Sequence, residues 1–236
     1  MEDSLKKSLF VEFYGLPGSG KSTLSHLVAE RLRREGHAVD EPSYETDHQH
    51  PLPKRVKKMA VGGYWFVFHH EQFSHIENIV RQNGYTGMEA FKQIVNVIQK
   101  MRIYNSPKAF EIVIIDQGLI QASISLSMYG AVKAKENYER LLLLIPNAVD
   151  ALRVYIDVDS ETALDRMRKR TTNDSRVEKL KEDSMMEKML LRISEEIASV
   201  REECCGIGNE YVVASSDNMM KDADDAYNKV RHKLYF

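Results

Sequence analysis

Apolar residues along this chain fall into two alternating arrangements, short unbroken runs and longer stretches that repeat at helical spacing. The runs are LFVEFY at 9–14, with Glu12 as its polar intruder, IVIID at 112–116, VYIDV at 154–158 and EYVVA at 210–214. A weaker segment at 37–42, closing on Glu41-Pro42, reads as a further strand. Between them, Leu24, Leu27, Val28, Ala29 and Leu32 mark one helix, and an aromatic-rich pattern predicts another, continuous over 61–80. The polar, proline-containing stretch 43–57 reads as a loop. Thr86 and Glu89 form a capping-box signal before Phe91, Ile94, Val95, Ile98 and Met101. Helices are also predicted along 119–130 and 137–145, after Ser160 as cap, from Ser184 with Glu187 to about Cys205, and over 219–234. Strand followed by helix throughout predicts parallel βαβ units, hence an α/β fold with a parallel sheet of about five strands.

The first run leads into GLPGSGKST, where Gly15, Gly20, Lys21 and Ser22 satisfy G-x-x-x-x-G-K-[ST] between a strand and a helix. This is a Walker A phosphate-binding loop. Gly15, Pro17, Gly18, Ser19, Gly20, Lys21, Ser22 and Thr23 are its candidate nucleotide-binding residues. Glycines let successive N–H groups turn toward phosphate oxygens, and the helix that follows adds the positive end of its dipole. Lys21 reaches the outer phosphates, and the Ser22 hydroxyl is a magnesium ligand. An apolar run closing on Asp116 has the form of a Walker B strand, making Asp116 the second candidate metal ligand. The expected cofactors are ATP and Mg2+. Arg166 and Arg170 lie four apart on the basic helix ETALDRMRKR, where they share one face and suit delivery of positive charge to a transferring phosphoryl group. A guanine-reading Asn-Lys-x-Asp motif does not occur, which disfavours a GTPase.

Composition narrows the class further. Lysine and arginine number 33 against 35 acidic residues, so a formal charge of -2 offers no bulk attraction to nucleic acid or an anionic membrane. No run approaches the ~20 apolar residues of a membrane span, and MEDSLKKS enters the first strand without a leader-like apolar region. A cytoplasmic protein of 236 residues in one domain is expected, and a homodimer is compatible with the sequence. Cys204 and Cys205 are adjacent, a spacing that strains a disulfide and matches no metal motif.

The ordered landmarks GLPGSGKST, a strand ending in Glu41-Pro42, IVIIDQG, and VYIDVDSETALDRMRKR followed by SRVE resemble the P-loop kinases of the thymidylate kinase and deoxynucleoside kinase group. The resemblance implies a three-layer P-loop NTPase fold, an acceptor region over 41–105 and a short arginine-rich lid over 164–178. It also implies that Glu41 serves as general base or acceptor ligand, and that adenine lies near Ala214 and Ser215. Abstracting a proton from an acceptor hydroxyl asks for a carboxylate near the magnesium and the γ-phosphate, and both Glu41 and Asp116 are candidates for that base. The aromatic stretch Tyr64, Trp65, Phe66, Phe68, His69, His70 and Gln72 falls where such kinases hold the acceptor, although aromatics at helical spacing equally describe a core. Where the family has an acidic residue followed by arginine after the third strand, this chain has Asp116-Gln117, so the usual grip on an acceptor phosphate is missing. The implied activity is transfer of the ATP γ-phosphoryl group to a nucleoside or nucleoside monophosphate. A kinase for a non-nucleotide hydroxyl, such as an antibiotic or cofactor precursor, and a nucleotide-dependent regulatory switch are the rival readings.

Overall fold

Five parallel strands in the order β2-β3-β1-β4-β5 form the sheet: β1 (Leu9–Gly15), β2 (Val39–Asp40), β3 (Ile112–Ile115), β4 (Leu152–Asp157) and β5 (Glu210–Ala214). The computed structural model describes residues 8–42, 54–105, 110–130, 132–169, 177, 180, 183–207, 209–216 and 218–235, with backbone alone for 54–60 and 203–207. The helices are α1 (Lys21–Arg34), α2 (Lys54–Phe68), α3 (His70–Gln82), α4 (Gly87–Asn105), α5 (Leu119–Ser127), α6 (Ala134–Leu144), α7 (Ser160–Arg168), α8 (Asp183–Ile207) and α9 (Met219–Tyr235).

Side chains alternate across the sheet, so the three central strands β1, β3 and β4 each feed two cores. Val11, Phe13, Ile112, Ile114, Val154 and Ile156 pack against Leu24, Val28 and Leu32 of α1 and against Ala226, Tyr227 and Val230 of α9. Phe10, Tyr14, Val113, Ile115 and Tyr155 face the opposite way, toward the larger core built with α4, α5, α6 and α8. Helices therefore cover both faces, giving three layers. The chain leaves central β1 toward β2 and β3 on one side and later reaches β4 and β5 on the other. In open α/β sheets, ligands bind outside the carboxyl ends of strands at such a switch point.

Several local expectations need correction. The aromatic stretch is not one helix: α2 and α3 are separated at His69, whose φ of -133° and ψ of 47° leave the helical region. His69 stacks on Trp65 at 4.3 Å, and Trp65 turns into the core with 8 % exposure, while Tyr64, Phe66 and Phe68 stay more than half exposed. Helix α2 starts at Lys54, inside the stretch read as loop, directly after the sequence proline Pro53. Strand β2 is shorter than predicted because it is an edge strand that pairs only with β3. Asp159, not Ser160, caps α7, its carboxylate accepting the Thr162 N–H at 2.7 Å. Helix α8 already includes Asp183, so Ser184 sits inside its first turn.

Candidate functional site

The loop between β1 and α1 has the backbone that its glycines allow. Gly18 and Gly20 take φ of +84° and +87°, values that a side chain strongly disfavours. Leu16 anchors the turn, its carbonyl accepting the Ser19 N–H at 3.0 Å and the Lys21 ammonium at 3.1 Å. Gly20 is the N-cap, and Leu24 donates the first intrahelical bond back to its carbonyl at 3.0 Å. The N–H groups of Lys21, Ser22 and Thr23 thus belong to a first turn that has no intrahelical acceptor for them. No acidic residue stands in that turn, and Ser22 and Thr23 are exposed, so the helix end is electrically and sterically open to an anion.

Two further elements close on this loop. A Cβ at Gly18 would stand 2.4 Å from the Ala163 carbonyl and 3.0 Å from Met167 Cγ, so the loop rests directly on α7. A Cβ at Gly20 would approach Met219 Cε at 3.2 Å, placing the start of α9 beside the N-cap. Gly18→Ala is accordingly expected to combine left-handed strain with a backbone clash. Nucleotide affinity should fall by tenfold or more, on the order of 1.4 kcal/mol, while isothermal titration with ADP reads the loss; wild-type affinity in the variant would refute this account of the loop.

Arg166 of α7 donates to Ser215 Oγ at 2.9 Å and to the Ser216 carbonyl at 3.1 Å. Asp222 of α9 holds the same loop, accepting the Ser216 hydroxyl at 2.6 Å and its N–H at 2.9 Å. The segment after β5 is thereby tied to both α7 and α9. Arg168 pairs with Asp183 at 2.6 Å. Arg170 and Arg176, the remaining arginines of the segment 164–178 expected to form a lid, lie outside the described residues, as does most of 171–178.

The two candidate carboxylates differ sharply. Asp116 follows the last residue of β3 and is half-buried, and its Oδ1 is buried with no hydrogen-bond partner among the described residues. Ser19 Oγ, in the loop itself, is likewise unpartnered. Glu41 is 3 % exposed and turned onto α1: it pairs with Arg33, and His26 Nδ1 lies 3.2 Å from Oε1. Gln117 is exposed beside Asp116.

Of the predicted acceptor aromatics, Phe66 lines a cleft of about 440 Å³ with Phe73, Phe91, Glu77 and Arg81. Arg81 is paired with Glu77, Nε to Oε1 at 2.8 Å. His48 and His50 lie outside the described residues, and among those described no cluster of metal-binding side chains is found. No described helix is long and apolar enough to cross a membrane.

One arrangement escapes a reading strand by strand. Register brings Glu12 of β1, Arg153 of β4 and Glu210 of β5 side by side on one face of the sheet. Arg153 is fully buried and donates to Tyr138 Oη at 2.6 Å and to the carbonyls of Ala151 and Ala148, each at 2.9 Å. Burial raises the pKa of Glu12, opposed by Arg153 and by hydrogen bonds from Ile120 N–H and Tyr104. Burial lifts Glu210 to about 7, although Arg201 stands 3.3 Å from its Oε2 and the Tyr14 hydroxyl donates to its other oxygen. The signal in the sequence was a charged residue within or at the edge of three apolar runs: Glu12 inside the first, Arg153 just before the run at 154–158, and Glu210 opening the last.

No protein-family model matches the chain, and no curated protein matches it in sequence. Among solved structures, it is similar to the deoxyadenosine kinase from M. mycoides, solved with its products dCMP and a flexible dCDP. That likeness covers 95% of this chain and 99% of the other at a TM-score of 0.55 and 17% identity. The fold is that of the P-loop kinases, a five-stranded parallel sheet flanked by helices.

Proposed function

We propose that this chain is an ATP-dependent phosphotransferase that moves the γ-phosphoryl group to a hydroxyl or phosphate of a nucleoside or nucleoside monophosphate. The observation that carries this reading is the glycine-rich loop 15–22, open at the N-terminus of α1, with the unpartnered Asp116 oxygen at the end of the adjacent strand β3. A switch protein would share the loop but would need no cleft for an acceptor. The kinase fold of the deoxyadenosine kinase likeness further supports a nucleoside-type substrate.

Within this proposal, Lys21 exchanges the Leu16 carbonyl for phosphate oxygens, and the first-turn amides of α1 hold the β-phosphate. A buried carboxylate oxygen without a donor and an exposed serine hydroxyl are hard oxygen ligands, so Asp116 and Ser22 suit a magnesium ion. When bound, that ion neutralises charge on the phosphates. Arg166 braces the loop at 215–216, where the adenine would lie, and Arg170 is the proposed cation for the transferring group. Arg33 and His26 hold Glu41 in one orientation, which suits an acceptor-side carboxylate and leaves Asp116 to the metal. The aromatic cleft at Phe66, Phe73 and Phe91 suits a planar acceptor.

Gln117 favours one second reading. Without arginine at that position, and with Arg81 already paired to Glu77, an acceptor that carries a hydroxyl and no phosphate is the better fit, which admits non-nucleotide alcohols. The test is ATP consumption with magnesium over nucleosides, nucleoside monophosphates and hydroxylated antibiotics, with mass spectrometry of products. A nucleoside or nucleoside monophosphate gaining one phosphate supports the proposal. Phosphorylation confined to a non-nucleotide alcohol selects the second reading, and nucleotide turnover without any phosphorylated acceptor returns the switch.

A further inference from the structure

The segment that carries Asp116 has an anchor outside itself. After β3 the chain runs Asp116-Gln117-Gly118 into α5, whose N-cap, Gly118, has no side chain with which to cap it. The capping acceptor comes from β1: Glu12 Oε1 accepts the Ile120 N–H at 2.7 Å, and its Oε2 accepts the Tyr104 hydroxyl at 2.9 Å. Glu12 is 1 % exposed and pairs in register with Ile115, the residue just before Asp116. Contact at Gly118 is equally close, since a Cβ there would stand 2.2 Å from Glu12 Cδ and 2.5 Å from Oε1. The residues on either side of Asp116 and Gln117 are therefore pinned to one strand, through Ile115 on the ladder and through Gly118 and Ile120 on a single carboxylate.

We infer that Glu12 is a positioning residue: by capping α5 from the neighbouring strand, it holds the unpartnered oxygen of Asp116 in place for a divalent cation. The inference rests on the proposed role of Asp116 as metal ligand. A carboxylate that orients the backbone around a ligand acts like an outer-shell partner, whose loss costs roughly 10–100-fold in metal affinity. Its charge is not what the cap needs, because a glutamine carbonyl also accepts an N–H. Gly118 is required because any side chain there would occupy the volume of the Glu12 carboxylate.

The readout is the ratio of ADP affinities with Mg2+ and with EDTA, measured by isothermal titration and independent of any acceptor. In the wild type, Mg2+ tightens ADP binding, and Asp116→Asn removes that gain. Glu12→Ala should lower the ratio by about tenfold with affinity in EDTA unchanged, and Glu12→Gln should restore it to within about threefold of wild type. Should Glu12→Ala fail to fold, Gly118→Ala takes its place, because its added methyl displaces the cap while Glu12 remains. A wild-type ratio in the folded variant, with melting temperature alone reduced, would overturn the positioning role and leave Asp116 intact. A wild-type ratio in Asp116→Asn would overturn the metal role of Asp116, and this inference with it.

Discussion

Lys21→Ala is expected to reduce ATP-dependent phosphoryl transfer by about 10²- to 10³-fold or more, the range seen when one preorganised group that stabilises developing charge is removed. Lys21 opens α1, and its ammonium lies 3.1 Å from the Leu16 carbonyl, a neutral partner that phosphate oxygens readily displace. Phosphoryl transfer asks the protein mainly for position and charge neutralisation, and no other described lysine lies in the 15–22 loop. The side chain is partly exposed, so the melting temperature should stay within about 2 °C of wild type. Steady-state assays with saturating MgATP, alongside thermal melts, check both halves. Near wild-type turnover in a folded Lys21→Ala protein would remove this loop from the chemistry.

The largest effect on stability belongs to Arg153. Its guanidinium is fully buried on the sheet face, donates to Tyr138 and to backbone carbonyls, and offsets the charge of Glu12 across the β1–β4 ladder. Arg153→Ala would leave a buried carboxylate without its counter-charge and strand those carbonyls, at about 3–5 kcal/mol. At roughly 2–4 °C per kcal/mol for a chain of this size, the melting temperature should fall by about 10 °C. Arg153→Lys should recover only part, because one ammonium cannot span the same set of acceptors. Combining Arg153→Met with Glu12→Gln should cost less than the sum of the separate changes. Urea unfolding of the four proteins measures the coupling, and strict additivity would contradict the pairing.

The legible parts of this fold were those written in local chemistry. GLPGSGKST between an apolar run and an amphipathic helix specifies its own turn, because Gly18 and Gly20 occupy backbone angles that other residues avoid. Strand β5 occupies the predicted positions, and β3 ends one residue before Asp116, since a short apolar run buried on both faces has few alternatives. Long-range partners were not legible. Glu12 looked like an isolated polar intruder, and only register sets it beside Arg153, more than a hundred residues away. Glu41 read as a strand-end carboxylate, but Arg33 and His26, the α1 side chains that hold it, could not be paired with it from the sequence. The interruption at His69 carries no glycine or proline, so the aromatic periodicity ran through it; a ring stacked on Trp65 and a deviation in ψ mark the break instead.

Transfer of label from γ-labelled ATP to a deoxynucleoside or nucleoside monophosphate, run with magnesium, with EDTA, and with Lys21→Ala, separates a kinase from a protein that only binds or hydrolyses the nucleotide. A kinase of this kind yields labelled phosphorylated acceptor with the wild type and magnesium, and none with EDTA or with the variant. Label appearing solely as inorganic phosphate across every acceptor, with nucleotide bound tightly at the same loop, would contradict the proposed kinase activity.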